Sequence, residues 1–246
     1  MTSSNSTRLQ KYIASSGYCS RRKAEVLIQE GHVAINGVQV VENGVQVHEG
    51  DKVTIKGQLI TLESELVYYI INKPLKVLSS VSDDRGRICV PDLIDDKNRI
   101  FPVGRLDYET TGALILTNDG DFANFLTHPR YDMPKRYRVL VAGRLIPRYI
   151  QELKDGVTIE DVVYQGVDIF SLRYDAKKNM SQFSITLYEG KNRQIRRMFK
   201  HYGLPVRKLH RYAIGPLLID DLNRGEYRKL KASEVTHLLE VAKGSK

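Results

Sequence analysis

Two short apolar runs constrain this chain most: VYYII over 67–71 and GALIL over 112–116. Neither shows a polar face to solvent, so each reads as a strand buried in the core. Asn72-Lys73-Pro74 stops the first run, because proline cannot continue the ladder. The second spans a strand at 113–117, with a turn at Asn118-Asp119-Gly120 and a helix over 121–127 behind it. KRYRVLVAG (135–143) alternates at Tyr137, Val139 and Val141. IPRYIQELKDGV reads as a helix; VVYQGVDIFSLRYD and SQFSITLYEG read as strands. NRQIRRMFKHYG is a basic helix stopped by Gly203, a further strand follows in PVRKLHRYAIGPLLI, and KASEVTHLLEVAK closes the chain as a helix. Strands outnumber helices without βαβ alternation. That order predicts an α+β domain with a mixed, largely antiparallel sheet and flanking helices.

The first quarter is organised differently. Residues 1–7 form a polar tail. Leu9, Tyr12 and Ile13 keep helical spacing until SSGY breaks the helix at Gly17. Ser20 is the expected N-cap of a second helix, RRKAEVLIQE, with Val26 and Leu27 facing inward and Gly31 as its stop. VAINGVQV carries Asn36-Gly37, a strong hairpin signal. EGDKVTIKGQLI adds another strand after a turn at Gly50-Asp51. The expected boundaries are a small helix-helix-strand domain over 7–60, an acidic linker TLESEL over 61–66 acting as a hinge, and a second domain over 67–246.

The 246 residues carry 38 Lys and Arg against 29 Asp and Glu, a formal charge of +9. Such an excess favours a polyanionic partner. No apolar run approaches the roughly 20 residues of a spanning helix, and the N-terminus lacks a secretory apolar segment. The two cysteines, Cys19 and Cys89, sit in no CxxC pair. A reducing cytoplasm without disulfides or a zinc site is therefore expected. Six scattered histidines suggest no metal cluster. Tryptophan is absent and tyrosine numbers 14, so base stacking would fall to tyrosine. No long apolar edge or heptad argues for an oligomer, so a monomer is expected.

Phosphate loops, dinucleotide fingerprints and zincin or nucleophile-elbow motifs are missing. What stands out is GRLDYETTGALILTNDG (104–120), where Asp107, two positions after Arg105, is planted just before the buried strand. Arg193, Arg196, Arg197 and Lys200 follow i, i+3, i+4, i+7 spacing and share a face. Ile195, Met198 and Phe199 hold the other side. One of these arginines could neutralise a carboxylate in an apolar pocket. Taken singly, Asp107 reads as a turn residue, Tyr137 as core and Arg196 as a surface charge; their joint occurrence carries the argument.

RLQKYIASSGYCSRRKAEVLIQEGHVAINGVQV resembles an S4-type RNA-binding domain. The resemblance implies that Arg8, Lys11, Arg21, Arg22 and Lys23 grip RNA backbone, as clustered cations do. NKPLKVLSSVSD, GRLDYETTGALILTNDG, KRYRVLV and EGKNRQIRRMFKHYGLPVRKLHR together resemble the RsuA/RluB-type pseudouridine synthases of bacterial ribosomal RNA. The likeness runs from about 8 to 231. It implies Asp107 as the catalytic aspartate, Tyr137 stacking on the target base and Arg196 pairing with the aspartate. Ile195 would line the uracil pocket, with Arg193, Arg197 and Lys200 nearby as substrate contacts. Arg105 would fill the vacated base position or hold a phosphate, and Asn72-Lys73-Pro74 would brace the site. Uridine isomerisation oxidises nothing and consumes no water, so no cofactor and no metal are expected. The resemblance leaves open whether Asp107 attacks the sugar or removes its proton. Large-subunit rRNA is the expected target, with small-subunit rRNA or a non-catalytic assembly factor as alternatives. The substrate would be rRNA or a ribosome-assembly intermediate. A nucleoside hydrolase would need a second carboxylate, and Asp119 and Asp121 sit in a turn.

Overall fold

The computed structural model describes residues 6–63 and 65–244. Residues 1–5 of the expected tail over 1–7, position 64 of the expected linker, and residues 245–246 lie outside them. The chain divides into two compact units. The first runs to Val67 and includes Asp96–Ile100 and Asn118–Gly120, two short segments that a contiguous reading assigns to the second.

In the first unit, β1 (Thr7–Arg8) leads into α1 (Leu9–Ser15) and α2 (Arg21–Gln29). The Ser20 side chain accepts a 3.2 Å bond from the Lys23 N–H, as an N-cap should. β2 (Val33–Ile35), β3 (Val38–Val40), β4 (Gln46–Val47), β5 (Val53–Ile55) and β6 (Gln58–Ile60) follow. β4 pairs with β1, and the other four form an antiparallel sheet in the order β3-β2-β5-β6. Asn36 and Gly37 both have positive φ, the geometry of a type I′ turn. Lys56 and Gly57 repeat it, so the segment expected to add one strand adds a second hairpin. The core is built from Leu9, Ile13, Ala24, Leu27, Ile28, Val33, Val47, Val53 and Ile55. Val26, expected inside, is 39% exposed. The α2 stripe runs Ala24-Leu27-Ile28, and the i, i+3, i+4 geometry turns position 26 outward.

The second unit holds β7 (Tyr68–Lys73), β8 (Phe101–Val103), β9 (Thr111–Thr117), α3 (Gly120–Thr127), β10 (Lys135–Ala142) and α4 (Pro147–Asp155). β11 (Val157–Ile159) and β12 (Val162–Tyr164) form a small hairpin. β13 (Asp168–Asp175), β14 (Met180–Leu187), α5 (Gln194–His201), β15 (Val206–Ile214), β16 (Leu217–Leu218), β17 (Tyr227–Lys229) and α6 (Ala232–Gly244) complete it. The sheet order is β13-β14-β10-β15-β9-β7-β17, with β8 on β9 and β16 on β15. Every pairing is antiparallel except β15 with β9. VVYQGVDIFSLRYD contains two strands rather than one, and the short strands β8 and β17 carry too few residues to show a pattern.

All seven residues of β9 are buried, so helices and loops must cover both its faces. Ile70, Ala113 and Ile115 share a core with Phe122 and Leu126 of α3 and Leu238 and Ala242 of α6. Phe199 of α5 packs its ring on Phe183 of β14, centroids 4.9 Å apart. The β9–β15 contact is unusually close. Gly112 has φ +114, and a Cβ there would lie 2.1 Å from the Arg211 carbonyl oxygen. Only glycine allows this approach.

Candidate active site

The loop between β8 and β9 carries Asp107, and its backbone is tied from several sides. Leu106 is buried beneath it. The Ser79 hydroxyl donates to the Leu106 carbonyl at 2.9 Å and accepts from its N–H at 3.1 Å. The Lys76 N–H donates to the Tyr108 carbonyl at 2.9 Å, and the Thr110 N–H to the Asp107 carbonyl at 3.0 Å. Lys73 is fully buried, and its Nζ donates to the carbonyls of Pro74 (2.8 Å) and Thr110 (3.0 Å). Burial pulls this ammonium down to about 8, with Asp107 opposing the shift and Arg211 adding to it. Asn72 donates to the Leu222 carbonyl at 2.8 Å. The NKP stretch thus ties the Asp107 loop at Lys73 and a second loop at Asn72.

The carboxylate meets two guanidinium groups. Arg196 Nε lies 3.7 Å from Asp107 Oδ2, and Arg193 Nη1 lies 4.0 Å from the same oxygen. These are ion pairs longer than hydrogen bonds. Arg196 Nε is buried without a hydrogen-bond partner, while its Nη2 donates to the Glu109 carbonyl at 3.0 Å. Burial and the neighbouring Arg193 lower the Arg196 pKa from its usual value. Arg193 sits at the N-cap of α5 with φ +51. Gln194 orders the loop ahead of it: its side chain donates to Glu189 at 2.7 Å and accepts from the Lys191 N–H at 3.1 Å.

Asp107 opens into a pocket of about 560 Å³ lined also by Arg105, Tyr137, Arg193, Ile195, Lys135 and Arg211. Tyr137 and Arg211 are partners across β10 and β15. Arg211 is buried; its Nε donates to the Ala113 carbonyl at 2.7 Å and its Nη1 to the Tyr137 hydroxyl at 3.4 Å. Burial, then Arg211, pull Lys135 down to about 8. The structure therefore brings together Asp107, Arg105, Tyr137, Arg193 and Ile195 along the pocket wall, with Arg196 against the carboxylate. Arg197 and Lys200 do not line it. They stand on the exposed face of α5, where Arg197 reaches Asn192 at 3.4 Å. Gln194, Lys135 and Arg211 escaped the sequence reading. Lys135 precedes Tyr137 by two, so strand alternation could have found it; Arg211 depends on a pairing with no local signature. Among the described residues, no group of three or more His, Cys, Asp or Glu is set to hold a metal.

In the first unit, Arg8 stands at the N-cap of α1, and Arg21, Arg22 and Lys23 open α2. All four are exposed, and Lys11 is half-buried. The first turn of α2 holds no acidic residue. Three cations at a helix N-terminus oppose the helix dipole, so helix stability does not account for them.

A family model described as RNA pseudouridylate synthase matches residues 67–201, and an S4 domain model matches 7–53. The ribosomal large subunit pseudouridine synthase B of Bacillus subtilis is 42% identical over 96% of each chain. The dual-specificity RNA pseudouridine synthase RluF of Salmonella typhi is 37% identical over the whole of this chain and 83% of its own. A crystal structure of a pseudouridylate synthase superposes with a TM-score of 0.67 at 30% identity, covering 94% of this chain and 99% of that one. With a family model matching over half of its length, an arginine-paired aspartate and an S4 domain ahead of it, the chain belongs to the RNA pseudouridylate synthase family.

Proposed function

We propose that this enzyme converts a particular uridine of large-subunit ribosomal RNA to pseudouridine, with Asp107 as the reacting carboxylate. The observation that carries the reading is the Asp107 carboxylate paired with Arg196 and Arg193 at the edge of a pocket of about 560 Å³, roomy enough for an extruded nucleotide. The bond from the ribose anomeric carbon to N1 breaks, and its electron pair leaves with the base. Asp107 either bonds to that carbon or takes the sugar's 2′ proton. The base turns and its C5 bonds to the same carbon, as the Asp107–carbon bond breaks or the 2′ proton returns to the sugar; the C5 proton is then lost and N1 takes one up. Tyr137 offers a face for the extruded base, which must leave its stack to reach Asp107. Ile195 packs against the base, and Arg105 takes the space it leaves or a flanking phosphate. Arg197 and Lys200 hold RNA backbone farther out, and Arg8, Lys11, Arg21, Arg22 and Lys23 hold it in the S4 domain. The large-subunit assignment rests on the relative from Bacillus subtilis. The enzyme acts in the cytoplasm as a monomer, on rRNA or an assembly intermediate.

The test is a map of pseudouridine in ribosomal RNA from cells lacking the protein, with rescue by wild type and by Asp107→Asn. A large-subunit position lost on deletion and restored only by wild type is the expected result. An unchanged map, or rescue by Asp107→Asn, overturns the assignment.

A further inference from the structure

A polymer with one nucleotide at Asp107 must run over the rim of the pocket, and the rim beside Asp107 has an unusual construction. Tyr108, the next residue, is 38% exposed. Its backbone is fixed through the Lys76 N–H. The Arg87 guanidinium lies 6.0 Å from the Tyr108 ring centroid. Arg87 is itself locked: its Nη2 and Nε donate to Asp83 at 2.6 and 3.1 Å, and the backbone N–H groups of Arg85 and Arg87 donate to the same carboxylate. These contacts pull the Asp83 pKa far below the usual carboxylate range. Ile88, next to Arg87 in the chain, accepts a backbone bond from Leu78 and leaves its apolar side chain exposed, as does Leu75, next to Lys76.

The latch orders an exposed loop that buries little. It holds a guanidinium over one face of the aromatic ring that follows the reacting residue. Exposed Arg105 lines the pocket, and Lys76 and Arg85, exposed as well, are tied by their backbones to Tyr108 and Asp83. Asp83 is neutralised by Arg87, and Glu109 faces Arg193 at 3.8 Å; Asp84 remains as an exposed anion. Flat aromatic and guanidinium surfaces among cations suit unstacked nucleobases. Extruding a base leaves its neighbours without a stacking partner.

We infer that Tyr108, backed by the Asp83-latched Arg87, is the stacking platform for a single-stranded nucleobase adjoining the target uridine. The inference rests on the reading of Asp107 above. It is tested with a synthetic hairpin containing the mapped uridine, carrying fluorescent 2-aminopurine at the adjoining position on either side. Wild type quenches one of the two probes. Tyr108→Ala abolishes that quenching and raises KM about tenfold, the scale of one lost base–aromatic stack. Tyr108→Phe and Tyr108→Trp keep both properties near wild type. Arg87→Ala gives a smaller rise in KM. Unchanged quenching and a KM within about twofold of wild type for Tyr108→Ala overturn the platform. Because quenching needs no turnover, Tyr108-dependent quenching without pseudouridine formation upholds the platform and overturns the assigned reaction instead.

Discussion

Gly112→Ala is the sharpest test of how the fold sets the site. The new Cβ would lie 2.1, 2.7 and 2.8 Å from the carbonyl oxygen, nitrogen and carbonyl carbon of Arg211. All three are backbone atoms, so no rotamer change relieves the clash. The native φ of +114 is also one that side chains disfavour. The conformational strain is worth about 1–3 kcal/mol and the forced separation of β9 from β15 a further ~1–3 kcal/mol. The sum, about 2–6 kcal/mol, is a large part of a domain's stability. Gly225→Ala is the control: φ is +87 there, but nothing lies within 4 Å, so only the backbone term of about 1–2 kcal/mol applies. Urea unfolding followed by near-ultraviolet tyrosine dichroism compares the two, and the Gly112 variant should lose about 1 M or more in its midpoint. Its activity should fall further than its folded fraction, because the displaced β15 carries Arg211 and the displaced β9 begins at the Asp107 loop. Equal midpoints for the two variants would refute the argument from close approach.

Arg196→Met should reduce kcat about 100-fold, as loss of a preorganised charge does. Arg196→Lys should recover only part of this, since lysine lacks the separate Nε and Nη2 that face the Asp107 carboxylate and the Glu109 carbonyl; single-turnover rates decide. Lys73 gives a pH signature. Its pKa falls from the usual 10.5 to about 8 on folding, so between these values the unfolded chain binds the extra proton. Stability from this group therefore rises with pH across that window, as it does from Lys135, and Lys73→Met should remove about half of the joint rise in denaturation curves taken from pH 7.5 to 10. Ser20→Ala should destabilise the S4 unit by about 1 kcal/mol through its lost cap, read as faster amide exchange in α2.

The elements with a strong local period were legible in the sequence. β7, β9 and β10 follow from apolar runs and alternation, and α5 from its basic and apolar faces. The Asn36-Gly37 turn announces itself, because few residues adopt positive φ twice in succession. Lys56-Gly57 and Glu160-Asp161 adopt positive φ as well, without the Asn-Gly signature, and so the first passed unnoticed as a turn. Val26 was misplaced because an apolar residue on a helix need not lie on its buried stripe.

Sequence alone determined the residue types at the site: a carboxylate ahead of a buried strand, an aromatic on an alternating strand and arginines on an amphipathic helix. Their meeting was a matter of tertiary structure. Asp107 and Arg193 lie 86 positions apart, and no local rule relates them. The antiparallel β10–β15 pairing sets Arg211 opposite Tyr137, and the parallel β9–β15 pairing lays it against Gly112, where only glycine lets two backbones touch. Arg197 and Lys200 share a helix face with Arg196 in sequence, yet the pocket takes in only the N-terminal part of α5. Periodicity fixes which side of a helix looks outward, whereas the packing of that helix against a sheet decides how far along it a cavity reaches.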